Sequence, residues 1–167
     1  MGQGVDGVDL ETSLGYLLKE ASSALRSAME AVLRPLGMTV THYSCLELLA
    51  QRPGLSNSEL ARGAFVTRQT MNVLLQALER DGSVTRATEA SFGRALPTRL
   101  TPRGRRSLEK ATAAVRSVEL RMVSGMTPGE QADAFRSLTS MVRSLRDDIP
   151  SLSAQPASGI VSGGDLS

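Results

Sequence analysis

Apolar positions along the chain recur at intervals of three and four through most of its length, and the places where that rhythm breaks divide it into helices. A first helix is predicted from about Glu11 to Leu36. Leu14, Leu18, Ala21, Leu25, Ala28 and Val32 give it a heptad-like seam, and Pro35 and Gly37 end it. Thr39 opens a second helix, with His42 where a capping box carries Glu or Gln; Tyr43, Leu46, Leu49 and Ala50 line its apolar side before Arg52-Pro53-Gly54. Two short helices follow. Ser56 and Glu59 form an S-x-x-E box, Leu60 and Ala61 supply an apolar side, and Gly63 with Ala64-Phe65-Val66 interrupts the pattern. Thr67 caps the next helix, which runs to about Asp81 and stops at Gly82.

The period then changes from helical to alternating. Ser83 to Arg86 and Arg94 to Leu100 read as strands, the second carrying Leu96, Thr98 and Leu100 on one side, with Pro97 restricting it to an edge. A small loop, Ala87 to Gly93, joins them. Thr101 and Pro102 start a further helix to about Ser124, with Leu108, Ala111, Val115, Val118 and Met122 in step. After Gly125, Thr127 and Glu130 make another capping box, and the last helix is expected to bury Phe135, Leu138, Val142, Leu145 and Ile149. Residues 1–11 are Gly-rich and expected to be flexible; 150–167 are Ser/Gly/Ala-rich without a period and read as a disordered tail.

The stretch from Leu55 to Arg86 carries the chemistry. In its second helix Met71, Leu74, Leu75 and Leu78 share one stripe. The opposite face shows Gln69, Asn72, Val73, Gln76 and Arg80, with Arg68 on its flank and Thr70 in the first turn. Gln and Asn can pair with adenine through two hydrogen bonds, Arg with guanine, and Val or a Thr methyl can touch a thymine methyl. An apolar back, an amide-rich front and a short preceding helix make a helix-turn-helix pattern, although an ordinary amphipathic hairpin shares its outline. The two strands directly behind it have the form of a wing. Arg94, where the ribbon leaves its tip, could enter a narrow minor groove.

The run LARGAFVTRQTMNVLLQALERDGSVTR, followed by GRALPTRLTPRGR, resembles the MarR family of winged helix-turn-helix regulators. The family's wing arginine and its Leu-Thr-x-x-Gly are matched by Arg94 and by Leu100-Thr101-Pro102-Arg103-Gly104. Phe92 stands where the family has an Asp, and Gly93 replaces the first arginine of its pair. The resemblance spans roughly 14–145. It implies a mainly α fold with a two- or three-stranded β wing: a winged helix-turn-helix lobe over 37–100, and long terminal helices, 12–36 and 101–149, that interdigitate in a homodimer. It also implies a sequence-specific DNA-binding regulator of transcription, here read as a repressor. Arg68, Gln69, Thr70, Asn72, Val73 and Gln76 would read the major groove, Arg94 the minor groove, and Ser56, Thr67 and Arg86 would hold phosphates. The three heptad-like seams suit pairing across a two-fold axis or an intrachain bundle that uses all three; the resemblance favours the pair, and with it a palindromic operator with half-sites ~34–36 Å apart.

Charge strengthens this picture. Nine arginines and four acids lie between Asn57 and Arg106, a local net charge of +5 in a 167-residue chain that totals +2. Positive charge is thus concentrated on the elements proposed to meet DNA. One cysteine, Cys45, and one histidine, His42, exclude an intrachain disulfide and a Cys/His metal cluster. No phosphate-binding Gly loop or motif-like carboxylate pair is present, so no enzyme, metal or cofactor is expected. The polar amino terminus and the lack of an apolar run of ~20 residues lead to the expectation of a cytoplasmic protein with no membrane partner. Family position suggests a small aromatic or lipophilic effector near His42, Cys45 and Arg86. Arg86 could equally hold a phosphate, and His42 could simply cap its helix. Redox response through Cys45, and a helical protein-interaction module that has lost DNA, are the alternatives.

Overall fold

The computed structural model describes residues 7, 9–87 and 97–147. Helix α1 spans Leu14–Leu33, starting at the first residue of the seam and three residues after the predicted Glu11. The Asp9 carboxylate accepts the Glu11 N–H and the Thr12 hydroxyl, holding both residues in a turn and leaving Ser13 to cap the helix by accepting the Tyr16 N–H. At its other end the α-helix stops at Leu33, because Pro35 has no N–H to continue the ladder. Arg34–Leu36 tightens to a 3-10 turn closed by Gly37 at φ +70°. Helix α2, Val40–Gln51, begins at the Thr39 cap, and α3, Asn57–Gly63, at the Ser56–Glu59 box with both of its reciprocal bonds. Helix α4 spans Arg68–Arg80, with Asp81 as its C-cap and Gly82 at φ +78°.

Helix α3 ends in a Schellman closure. The Val66 N–H donates to the Ala61 carbonyl at 3.0 Å and the Phe65 N–H to Arg62 at 3.3 Å. That ring forces a left-handed residue at position 65, and the chain supplies Phe65 at φ +57°. Gly63, the residue that seemed to mark the break, is still helical. Its role is close approach: a Cβ there would lie 2.7 Å from Leu48 Cδ1. A left-handed non-glycine residue costs about 1–2 kcal/mol.

Strands β1, Val84–Arg86, and β2, Thr98–Leu100, pair antiparallel with Val84 opposite Leu100 and Arg86 opposite Thr98. β1 starts one residue later than the alternation predicts, and residues 94–96 of the second predicted strand lie outside the described residues. The far side of β2 is not a free edge: Gly54 donates to the Thr98 carbonyl and the Thr98 N–H donates to Leu55. Pro97 lies just outside this pairing, where no N–H is required. Helix α5, Pro102–Met122, opens at Thr101, whose hydroxyl donates to the Gly82 carbonyl at 2.6 Å and accepts the Gly104 N–H. The core gathers Leu33, Leu46, Leu49, Leu60, Met71, Leu75, Val84, Leu108, Ala111 and Val115. Met122, expected in the α5 seam, is exposed.

The chain divides into two compact units, Met1–Ser124 and Gly125–Ser167. Helix α6, Pro128–Asp147, is the described part of the second. Its Thr127–Glu130 box is complete. Phe135, Leu138, Val142 and Leu145 are expected to be buried; among the described residues they are 46–74% exposed. Ile149, the wing tip with Arg94, and the carboxy-terminal tail lie outside the described residues. Among the described residues no helix is long and apolar enough to cross a membrane.

Gly104 seats the whole of α5. A Cβ there would stand 2.1 Å from the Ser83 carbonyl oxygen, which is backbone already bound to the Thr101 N–H. Gly104→Ala is therefore expected to destabilise the fold by at least about 2–3 kcal/mol, read as a lowered denaturant midpoint. An unchanged midpoint would contradict that packing.

Candidate nucleic-acid interface

Helix α4 is amphipathic in the way the sequence suggested. Met71, Leu75 and Leu78 are buried, and Leu74 is half-buried against the same core. On the opposite side Arg68, Gln69, Thr70, Val73 and Gln76 are exposed, and Asn72 is half-buried. Val73, an apolar side chain 59% exposed, sits in a polar row with no packing role in the chain. The Thr67 hydroxyl accepts the Thr70 N–H and donates to Thr70 Oγ1, fixing the first turn. That turn holds no acid, so the positive end of the helix dipole faces outward beside Arg68.

The sequence reading missed the residue that ties the two short helices together. Asn57 Nδ2 donates to the Arg68 carbonyl at 3.2 Å, linking the start of α3 to the start of α4. Its Oδ1 is buried without a partner. An Asn in a first helical turn reads as an ordinary polar residue, and only the fold brings it to position 68.

Three residues expected at phosphates also bond within the chain. The Ser56 hydroxyl donates to Glu59 at 2.7 Å and accepts the Glu59 N–H, while Glu59 also takes the Ser56 N–H. These bonds hold the Glu59 carboxyl below its ordinary value. Ser56 and Thr67 are thus capping residues whose hydroxyl protons are already engaged. Arg86 directs both Nε and Nη2 at one Glu79 oxygen, at 3.0 and 2.8 Å, and so clamps the base of the ribbon to α4. Asp81 similarly bonds Ser83 and Arg103, which lowers its pKa. By contrast Arg62, Arg68, Arg80, Arg99, Arg105 and Arg106 are exposed and form no ion pair among the described residues.

Of the residues expected near an effector, Cys45 is buried and His42 and Arg86 are half-buried. Cys45 is 0% exposed, and burial pushes its thiol up to about 12. An accessible redox thiol is therefore not what this position offers. His42 caps α2 through its N–H to Thr39; its Nε2 is buried without a partner, and burial lowers its pKa against an opposing pull from Asp81. An apolar groove of about 310 Å³ lies elsewhere, between α1 and α5, lined by Ala21, Ala24, Leu25, Ala28, Val118, Arg121 and Met122. Among the described residues no cluster of three or more His, Cys, Asp or Glu could hold a metal ion.

A short positioning helix, a second helix with a sealed back and a polar front, and a two-stranded ribbon leading into a long helix together define a winged helix-turn-helix protein. Comparison with known proteins narrows that class. Residues 36–95 match the model of the MarR family. The HTH-type transcriptional repressor Rv2887 of Mycobacterium tuberculosis is 42% identical over 135 residues, covering 81% of this chain and 97% of that protein. Its crystal structure with salicylic acid superposes with a TM-score of 0.65 at 42% identity, over 81% and 98% of the two chains. The repressor CouR bound to a 23-mer DNA duplex gives 0.69 at 27% identity, over 83% and 99%. The chain belongs to the MarR family, and it is a DNA-binding regulator of transcription.

The buried thiol has a direct consequence. In the folded protein Cys45 should resist a water-soluble thiol reagent, and react at the rate of a free cysteine only in denaturant. Fast labelling of the native chain would show that α2 opens in a way this packing does not allow.

Proposed function

We propose that the chain acts as a homodimeric repressor that occupies a palindromic operator and is released by a small aromatic acid. The observation that carries this reading is the exposed row Arg68, Gln69, Thr70, Val73 and Gln76 on a helix whose other side is fully engaged in the core. Each protomer would lay α4 in a major groove, with Gln69, Asn72 and Gln76 pairing to base edges and Val73 against a thymine methyl. The unpaired arginines around α4 would hold phosphates, and Arg94 would enter the flanking minor groove.

Pairing is supported by apolar side chains left exposed among the described residues. Leu14, Leu17 and Leu18 of α1 are exposed, as is the stripe of α6. Covering them against a second copy would set two α4 helices one duplex turn apart. Rv2887 has been crystallised with DNA, with salicylic acid and with p-aminosalicylic acid, which supports the same pair of ligand classes for this relative. The α1–α5 groove, apolar apart from Arg121, suits an aromatic ring with one carboxylate. Such a ligand would act by favouring a dimer whose half-site spacing no longer matches the operator. The expected working compartment is the cytoplasm.

The test is selection of duplexes from a random pool, followed by binding measurements over a range of salt. Gln69→Ala should shift the selected sequence at one position per half-site while leaving the salt dependence unchanged, since base contacts specify and phosphate contacts set the slope. Arg94→Ala should lower affinity and reduce the preference for A·T pairs beside the half-sites. If Gln69→Ala weakened all duplexes equally, the assignment of α4 as the reader would be wrong. Failure of the wild-type chain to select any sequence would overturn the function itself.

A further inference from the structure

The Schellman closure after α3 requires a left-handed residue, for which glycine is the residue that fits, yet position 65 holds a phenylalanine. Nothing in the chain compensates. The ring is 85% exposed, while its neighbours Ala64 and Val66 are half-buried against the core. Backbone strain combined with an unburied aromatic marks a position kept for contact with something outside the chain.

We propose that Phe65 is a DNA-contacting side chain, its ring packing on the deoxyribose–phosphate strand that borders the groove read by α4. This rests on the function proposed above and adds to it an apolar contact at the turn. Two observations place the contact on DNA rather than on another protein. Position 65 precedes the α4 cap, Thr67, by two residues, and Arg68, Gln69 and Thr70 behind it are all exposed. The nearby cations add to this: Arg62, whose carbonyl accepts the Phe65 N–H, and Arg68, three residues further on, are exposed and form no ion pair among the described residues. A protein partner would be expected to meet a contiguous apolar patch. A single exposed ring flanked in sequence by two unpaired arginines instead suits a polyanionic strand whose sugars offer C–H faces between phosphates, with the arginines drawing in the phosphates and the ring excluding water from the sugar.

The experiment compares Phe65→Gly and Phe65→Leu with the wild type, using the duplex the wild-type chain selects from a random pool as the probe. Phe65→Gly should keep or raise the melting temperature, because glycine fits the closure, yet bind the duplex about tenfold more weakly. The slope of log affinity against log salt should stay the same, since no cation is removed. Phe65→Leu, which retains apolar bulk, should fall between the two in affinity. Undiminished binding by Phe65→Gly would overturn the proposal, as would a loss of affinity accompanied by a fall in melting temperature or by a changed salt slope. A wild-type chain that selects no duplex would instead defeat the underlying function, so the two failures are distinct.

Discussion

The seating of α4 is the constraint on which the presentation of every reading residue depends. Met71, Leu75 and Leu78 bury one side of the helix against a core that includes Leu46, Leu49 and Leu60. Each such side chain contributes about 1.5–3 kcal/mol by leaving water. A rotation of the helix by one residue would carry that apolar stripe outward and bring Asn72 or Gln76 into its place, an exchange unfavourable on both counts. The rotational setting of the helix is therefore fixed by its back. Its front is under no such demand, and Gln69, Val73 and Gln76 are free to answer to a ligand instead of to the fold.

Electrostatics refines which arginines are available. Glu79 and Asp81 lie at the carboxyl end of α4, where the helix dipole does not favour them. Their positions make sense through their partners: Glu79 holds Arg86 at the root of the ribbon, and Asp81 holds Arg103 at the start of α5. Each of these two acids cancels the charge of one arginine that has a structural task, and the other arginines keep theirs. The remaining guanidinium groups of α3, α4 and the ribbon are exposed to solvent, where salt screens charge over a length of ~10 Å. Fixed and free cations in one region are distinguished by what anchors them, not by their sequence neighbours.

What the sequence made legible follows the same division between local and distant causes. The capping boxes at Ser56–Glu59 and Thr127–Glu130 and the caps at Thr39, Thr67 and Thr101 are settled within four residues, and each stands as read. The start of α1 was misjudged because Thr12 and Ser13 are equal candidates until Asp9 removes one of them. The turn after α3 was located, but its strained residue was not, since Gly63 attracts attention that belongs to Phe65. The pairing of Arg86 with Glu79, the reach of Asn57 to position 68 and the depth of Cys45 all depend on elements meeting in space. No periodicity encodes them, and they add a structural task to Arg86 and a buried setting to Cys45.

Periodicity also identified the apolar stripes of α1 and α6 without revealing what covers them. Such a stripe in water is costly at roughly 25 cal/mol per Å², and the single chain leaves Phe135 and Leu145 more than two-thirds exposed. Cover from a second copy would also resolve a difficulty of recognition. A single α4 offers a handful of side chains to bases, each worth about 1–3 kcal/mol of discrimination, which is little against a genome of competing sites. Joining two such helices makes the second half-site an intramolecular encounter and multiplies the discrimination, provided that the spacing fits. The uncovered surface that weakens the protomer by itself is then also the element through which a ligand could change that spacing and with it the affinity for DNA.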